Sequence, residues 1–383
     1  MPRVASYCTT FLKPEMLHIY RQVTGLRRWE TFVLCRERQE LERFPFADVV
    51  IPPRVRSNFL RRAWLKYVRR EPAIVYRGEY GALARVLEAR HADLLHVYFG
   101  HTGVHLLPFL RRWPKPAVVS FHGMDVQTRA DRPGYEASLR ALLAEIPLVL
   151  VRSESLRDRV LALGAAPDKV RINRTGIPLE AFPWAKRARP ADGGWHFVQA
   201  CRLIEKKGLA VSLRAFARFA VSHPAARFTI AGEGPLREPL EQQASDLGVA
   251  DRVAFAGFMD QAALRDLYHR AHVFLHPSQM TEDQNQEGIP NSMLEAMATG
   301  LPVIATEHGG IPEAVRHAVT GLLVPERDEV GVTACLARIT ASAGEWEAMG
   351  RAAAADVREH FEQAAQIAKL EGFYDEALST RPR

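Results

Sequence analysis

The sequence predicts an α/β protein built from two open, doubly wound domains, and three observations predict it. The chain has 383 residues, more than one hydrophobic core comfortably organises. Short β-branched runs alternate with helix-period segments, the pattern of βαβ units and parallel sheets. That alternation breaks once, between about residues 178 and 194, where Pro178, Pro183, Pro190, Gly193 and Gly194 stand among Lys and Arg, and then it restarts.

The elements follow in order. In the first half, strands are predicted at Val4–Cys8, Thr31–Cys35, Asp48–Ile51, Leu94–Phe99, Ala117–Phe121, Val149–Ser153 and Val170–Asn173. After the break they are predicted at Trp195–Cys201, Arg227–Ala231, Arg252–Ala256, Val273–His276 and Pro302–Thr306. From about Asp328 the tail reads as amphipathic helix, ending Ala365–Leu378. That last helix either returns to the first domain or closes the second. The domains are accordingly set at 1–185 and 186–383. Open α/β sheets bind ligands beyond the carboxyl ends of their strands, so two of them predict a cleft suited to two substrates.

Composition narrows the class. Hydrophobic residues make up 47% of the chain and charged residues 25%, ordinary for a globular protein. The longest apolar runs, such as Ile146–Val151, are strand-length and far short of the ~20 residues that span a bilayer. Met1–Thr10 lacks a signal-peptide pattern, so a cytoplasmic protein is expected. Cys8, Cys35, Cys201 and Cys335 form no CxxC pair, which fits reduced thiols and neither a disulfide frame nor a zinc site. The net charge of +7 is unevenly divided: residues 1–190 hold 33 Lys and Arg against 18 Asp and Glu, the remainder 18 against 26. A basic first half suits anionic lipid or a phosphorylated acceptor; nucleic acid rests on charge alone and is set aside.

The most informative segment runs from His276 to Gly300. A polar loop leads to Glu287-Gly288-Ile289-Pro290-Asn291-Ser292, and a helix begins with Pro290 near its first position. Gly300 and Pro302 end it. Glu287 therefore arrives just ahead of a helix N-terminus, whose amides and dipole favour an anion. Glu295 lies about one and a half turns further on. A diphosphate over the amides, a sugar by Glu287 and a ribose by Glu295 satisfy all three features, because carboxylates accept hydrogen bonds from hydroxyls. A capped surface helix with two solvated glutamates is the plain alternative.

Glu287-x7-Glu295 within EGIPNSMLEAMATGLPVIAT resembles the signature of the retaining family-four glycosyltransferases, whose fold is GT-B, and the details are most similar to bacterial exopolysaccharide (colanic-acid-type) members. The resemblance implies two Rossmann-like domains facing a cleft, a nucleotide-diphosphate sugar donor, retention of anomeric configuration, and no metal or other cofactor. Arg202 and Lys207, in Cys201-Arg202-Leu-Ile-Glu-Lys206-Lys207-Gly208, resemble the basic pair that grips the donor diphosphate. Such a pair stabilises the leaving group where no metal does, and losing one preorganised donor costs about 2.7–4 kcal/mol in the barrier. No Asp-x-Asp motif occurs. Cys201 departs from the family, which usually has Gly there.

Ala231-Gly232-Glu233-Gly234-Pro235 resembles the family turn that shapes the nucleotide side, since Arg237 spoils a dinucleotide fingerprint. Phe255-Ala-Gly257-Phe258 resembles the segment beside the base, and Gly309-Gly310-Ile311-Pro312-Glu313 a structural turn. In the first domain, His122 of Ser120-Phe-His-Gly-Met-Asp125 is similar to the histidine beside the transferred sugar, with Asp125 nearby. His96 is similarly placed at a strand end or is a buried structural histidine. The first loop, Cys8-Thr-Thr-Phe-Leu-Lys13-Pro14, lacks the family's glycine-rich character, so no acceptor-side residue is named.

The expected site residues are thus Glu287, His122, Arg202 and Lys207 as catalytic groups. Glu295, Gly288, Ile289, Pro290, Asn291, Ser292, Gly234 and Phe258 are expected to bind the donor. The acceptor implied is a glycan or a polyprenyl-diphosphate-linked saccharide in cell-surface polysaccharide synthesis. Within the segment 54–70, Leu60, Ala63, Trp64, Tyr67 and Val68 share one helical face, and Arg62, Lys66, Arg69 and Arg70 the other. This suits peripheral contact with an anionic membrane or an apolar face packed on its own sheet. Rival readings are an NDP-sugar epimerase, a sugar phosphorylase, or a non-catalytic scaffold subunit.

Overall fold

A computed structural model describes residues 1–13, 16–53, 58–126, 134–282 and 286–379. The chain divides into two compact units, Met1–Gly176 together with the segment from Ala364, and Ile177–Gln363.

The first unit contains β1 (Arg3–Tyr7), β2 (Thr10–Phe11), β3 (Glu30–Leu34), β4 (Glu37–Arg38), β5 (Val49–Val50), β6 (Leu94–Tyr98), β7 (Ala117–Ser120), β8 (Leu148–Val151) and β9 (Val170–Ile172). Seven of these form a parallel sheet in the order β5-β3-β1-β6-β7-β8-β9, and β2 and β4 make a separate two-stranded pair. Every residue of β6, β7 and β8 is buried, which is why these strands read as continuous apolar runs: a parallel sheet is covered on both faces.

The second unit contains β10 (His196–Ala200), β11 (Arg227–Ala231), β12 (Val253–Gly257), β13 (Val273–His276), β14 (Val303–Thr306) and β15 (Gly321–Val324), all parallel in the order β12-β11-β10-β13-β14-β15. This is the dinucleotide-fold order, with its direction of winding reversing between β10 and β13. The sequence reading lacked β15 and β4, and β2 lies where it placed a loop.

The boundary at 185/186 needs correction to 176/177. Ile177 and Phe182 are fully buried in the second unit's core. The Arg187 guanidinium donates to the carbonyl of Tyr268 at 2.9 Å and to the Thr299 hydroxyl at 2.8 Å. Proline and glycine gave residues 178–194 the composition of a linker, but its apolar residues anchor it to the unit that follows.

The last helix, Gln363–Ser379, belongs to the first unit. Leu370, Tyr374 and Ala377 pack with Val4, Trp29, Leu94 and Leu150. Glu371, 2% exposed, accepts the amides of Arg27 and Arg28 at 2.6 and 2.5 Å. Asp375 accepts from the Trp29 indole at 3.0 Å, and Arg171 pairs with Glu376 at 2.6 Å.

Of the segment 54–70, residues 54–57 lie outside the described residues. Phe59–Ala63 is α-helical and continues as a π-helical turn, Trp64–Val68. None of these side chains is buried, so the packed alternative fails. Among the described residues no helix is long and apolar enough to cross a membrane.

Candidate active site

The second unit gathers its charged groups where β10 and β13 diverge. After β10 the chain turns through Cys201–Ile204 and a 3-10 turn, Glu205–Lys207. Gly208 then adopts φ 62°, and a Cβ on it would lie 1.8 Å from the Pro277 carbonyl oxygen. Only glycine permits that approach, and it brings the loop after β10 against the loop after β13. The amide of Gln279 also donates to the Lys206 carbonyl at 2.9 Å.

The result is an ion pair. Lys207 Nζ lies 2.5 Å from Glu287 Oε2, and Lys206 Nζ lies 3.8 Å from the same oxygen. The side chains of Lys207 and Glu287 are only 13% and 11% exposed. Burial pushes the Glu287 carboxyl up, but the two lysines outweigh it and hold it down at about 2. Breaking so buried a pair by removing one partner typically costs about 3–5 kcal/mol.

The Glu287 backbone is fixed as firmly as its side chain. Its amide donates to His308 Nε2 at 2.9 Å, and His308 Nδ1 lies 2.6 Å from Glu326 Oε1. His308 must therefore be neutral, with its proton on Nδ1, to accept that amide. The other Glu326 oxygen accepts the amide of Met280 at 2.6 Å. Gly309, at φ 57°, has no room for a side chain, since a Cβ would lie 2.1 Å from the Glu287 carbonyl oxygen. The Gly309-Gly310 turn thus cradles the Glu287 loop.

Residues 291–298 form the helix that follows, with Pro290 in the N-cap position at φ −68° and ψ 125°. Pro290 itself provides no side-chain cap for the first amides of this helix. Ser292 is not pointing at open space: its hydroxyl donates to the Ala200 carbonyl at the end of β10, at 2.5 Å. Ile289 and Glu295 are nearly buried, at 8% and 5% exposure, and Asn291 is half-buried. Gly288 borders empty space, with nothing within 4 Å of a would-be Cβ. Arg202 is exposed, and its guanidinium has no ion-pair partner among the described residues.

Gly232 and Gly234 serve the fold directly. A Cβ on Gly232 would sit 1.9 Å from the Cys201 carbonyl oxygen, and one on Gly234 would sit 2.4 Å from that of Leu203. Backbone bonds Cys201 to Ala231 at 2.9 Å and Leu203 to Glu233 at 2.8 Å hold the two loops together. The expected nucleotide turn therefore shapes the Arg202 loop from behind. Burial pushes the Cys201 thiol up to about 12, so it stays protonated. Phe258 follows β12 and is 49% exposed.

In the first unit His122 has both ring nitrogens engaged: Nδ1 with His18 Nε2 at 3.0 Å and Nε2 with the Ser120 hydroxyl at 2.9 Å. Burial, then the Arg152 charge, hold it well below the usual histidine range, so the ring is neutral. Asp125 is occupied with the amides of Gly100, His122 and Gly123 at 2.8, 2.9 and 2.9 Å. It shapes the loop that carries His122. His96 is fully buried and its Nδ1 lies 2.7 Å from the Tyr374 hydroxyl, a structural contact with the last helix.

The structure thus brings Glu287, Lys207, Arg202, Gly288–Ser292 and Glu295 onto the loops after β10 and β13 and the helix between β13 and β14, with Gly234 and Phe258 on the loops after β11 and β12. His122 belongs to the other unit. The sequence reading missed His276, His308 and Glu326. His276 is fully buried with neither ring nitrogen hydrogen-bonded among the described residues, and burial holds it at about 3. The missed signal was position: His276 ends β13 and His308 follows β14, the strand-end placement that singled out His122. No group of three His, Cys, Asp or Glu among the described residues could hold a metal ion.

Two family models cover nearly the whole chain. That of the glycosyl transferases group 1 matches residues 183–355, and that of glycosyltransferase family 4 matches 17–181. The amylovoran biosynthesis glycosyltransferase AmsK of Erwinia amylovora is 32% identical over 274 residues, which cover 71% of this chain and 67% of that protein. This chain belongs to the group 1 glycosyltransferase family. Another relative of this group 1 member is WcaL of Salmonella typhimurium, provisionally assigned to colanic acid biosynthesis. It is 33% identical over 263 residues, covering 67% of this chain and 64% of WcaL. The group 1 glycosyltransferase also shares its fold with Anabaena HepE, solved in complex with UDP and glucose (TM-score 0.76, 17% identity, 98% of this chain and 100% of that one). Sucrose-phosphate synthase from Thermosynechococcus elongatus gives the same TM-score at 18% identity, over 99% and 100% of the two chains. The fold is therefore GT-B, with two Rossmann-like domains.

Proposed function

We infer that this glycosyltransferase moves a sugar from a nucleotide-diphosphate donor, with retention and without a metal, to a glycan or polyprenyl-diphosphate-linked saccharide during exopolysaccharide synthesis. The reading rests on the charge arrangement after β10 and β13: an exposed Arg202 with no ion-pair partner among the described residues, a buried Lys207–Glu287 pair, and the start of helix 291–298, to which Pro290 gives no side-chain cap. Arg202, Lys207 and the helix amides hold the diphosphate. Glu287 accepts from sugar hydroxyls, and Glu295 accepts from the ribose. Phe258 and Gly234 shape the base side, and His122 orders the acceptor or sugar. Because His122 enters with both nitrogens engaged, it exchanges one of those bonds on substrate binding.

In the step proposed, the acceptor oxygen bonds to the anomeric carbon on the face the diphosphate leaves. The carbon–phosphate-oxygen bond breaks, and the acceptor proton passes to the departing phosphate oxygen. Glu287 positions and does not attack. The relatives named for amylovoran and colanic acid biosynthesis support the exopolysaccharide assignment.

The second part of the reading is a cytoplasmic protein that touches an anionic membrane surface through 58–70. Phe59, Leu60, Tyr67 and Val68 are 67–79% exposed, and Arg61, Arg62, Lys66, Arg69 and Arg70 stand among them without one acidic residue. Such a composition matches anionic headgroups over an apolar interior.

The deciding experiment is a thermal-shift panel of UDP-, GDP-, ADP- and dTDP-sugars, followed by turnover of the stabilising donor in EDTA and assignment of the product anomer by NMR. One donor should raise the melting temperature and yield a retained glycoside. No stabilisation by any donor would overturn the reading in favour of a scaffold subunit. Isomerisation without acceptor would point to an epimerase, and phosphate-dependent turnover to a phosphorylase.

A further inference from the structure

Within the first unit, a cavity of about 350 Å³ opens at the carboxyl ends of β1, β3 and β5. Tyr7, Cys35 and Ile51 mark those strand ends, and Ile74, Leu83 and Leu106 add to the apolar lining. Its volume falls in the ordinary range for a small-ligand site, ~300–1,000 Å³. Three arginines also line it, Arg36, Arg62 and Arg77, with Glu79 as the acidic residue among the lining groups.

The three arginines are not equivalent. Arg36 is engaged, hydrogen-bonded to Glu79, which also lies 2.8 Å from His105 Nε2. Arg62 and Arg77 have no ion-pair partner among the described residues. Each guanidinium carbon lies 5.9 Å from the centroid of the Tyr76 ring, so one aromatic ring supports both cations at the cavity. His105 is held below the usual histidine range, chiefly by burial, and adds no charge at neutral pH. Two uncompensated guanidinium forks over an apolar wall match a ligand that is anionic at one end and hydrocarbon at the other. Planar forks bind phosphate oxygens in pairs. The position adds a further constraint, because Arg62 belongs to the exposed helix Phe59–Ala63. The cavity therefore opens beside the apolar, basic patch of 58–70.

We propose that the Arg36–Arg62–Arg77 cavity binds the phosphate-bearing head of an amphiphilic acceptor, with Arg62 and Arg77 gripping the phosphate and Ile51, Ile74 and Leu83 receiving the start of its hydrocarbon. This rests on the transferase reading above and names where its acceptor is held. The exposed face of the neighbouring helix holds the remaining hydrocarbon at the membrane surface.

The test uses the full chain and three probes: farnesyl diphosphate, inorganic pyrophosphate and farnesol, each titrated by calorimetry. Farnesyl diphosphate should bind, pyrophosphate more weakly and farnesol not measurably. In Arg62→Gln/Arg77→Gln, affinity for farnesyl diphosphate should fall about tenfold or more, the change expected from losing one charge-assisted hydrogen bond. The control Arg85→Gln/Arg140→Gln removes equal charge from exposed positions of the same unit, outside both the cavity lining and the patch 58–70, and should bind as wild type. Equal losses in both variants, or farnesol binding as well as the diphosphate, would overturn the proposal. Pyrophosphate binding as tightly as farnesyl diphosphate would overturn the amphiphile and leave a free-phosphate site. Titration of the stabilising nucleotide sugar on the same samples separates the two readings: a wild-type protein that binds the donor but not farnesyl diphosphate removes the cavity assignment alone.

Discussion

A Cβ on Gly309 would lie 2.1 Å from the Glu287 carbonyl oxygen at a positive φ, whereas one on Gly288 would meet nothing within 4 Å. The first glycine is required by the protein itself. The second has no such reason, and under the donor reading its open side is where the ligand approaches. Gly309→Ala should therefore destabilise the protein by about 1–3 kcal/mol, read by urea denaturation. Gly288→Ala should keep the wild-type melting temperature and weaken the nucleotide sugar. Unchanged donor affinity in Gly288→Ala would remove this residue from the site. His308 makes a second residue-scale case. Its Nε2 accepts the Glu287 amide while Nδ1 faces Glu326, so His308→Phe leaves a buried amide without an acceptor, costing about 1–3 kcal/mol. Turnover should fall further than stability alone explains, because the Glu287 loop loses its anchor. Wild-type kcat in a folded His308→Phe protein would show that the anchor is dispensable.

Among the elements, the stretch from Phe59 to Val68 is the one whose sequence and packing disagree most. An amphipathic pattern ordinarily records a buried face, yet Phe59 is 79% and Leu60 72% exposed. Substituting solvent-exposed side chains leaves a fold nearly untouched, so Phe59→Ser/Trp64→Ser should melt within a degree or two of wild type. The same variant should lose sedimentation with anionic vesicles, while wild type should bind them and ignore neutral ones. Equal binding of both vesicle types, or no effect of the substitutions, would dismiss the membrane contact. The last helix shows the opposite relation. Its apolar stripe is buried at Ile367, Leu370, Tyr374 and Ala377, and Glu371 and Tyr374 convert it into a fixture of the first unit through the Arg27 and Arg28 amides and His96.

At the scale of the whole molecule, each unit buries a neutral histidine. Burial holds His96 in the first and His276 in the second at about 3, against an ordinary 6.5. The sign follows from linkage: below 6.5 the unfolded chain binds protons that the folded one refuses, so stability is full above that value and falls as the pH is lowered. Each such histidine contributes a slope of about 1.4 kcal/mol per pH unit once the pH is well under 6.5. Glu287, depressed to about 2 from 4.5, adds a loss of the same sign at lower pH. Melting temperature should therefore decline steadily from pH 7.5 to pH 5, and His276→Leu should flatten that decline. A melting temperature that rises on acidification would contradict the burial of both rings.

Local chemistry along the chain was enough to determine the alternating α/β pattern, most strand positions, the two-domain class and the segment Glu287–Glu295. Parallel strands covered on both faces must be apolar throughout, and helix starts and stops carry their own Pro and Gly marks. What depended on distant partners was decided only by the tertiary structure. It set Lys207 against Glu287, placed His308 behind the Glu287 amide, tied up both nitrogens of His122, and gave residues 177–187 to the second unit. It put Cys8 and Cys35, remote in sequence, at the ends of the adjacent strands β1 and β3. It also left the basic helix uncovered and assembled Arg36, Arg62 and Arg77 around one cavity. Periodicity reports that a face is apolar, and a charge reports that it needs a partner. Neither names the partner, because partners are chosen by which strand ends the winding of the sheet brings together.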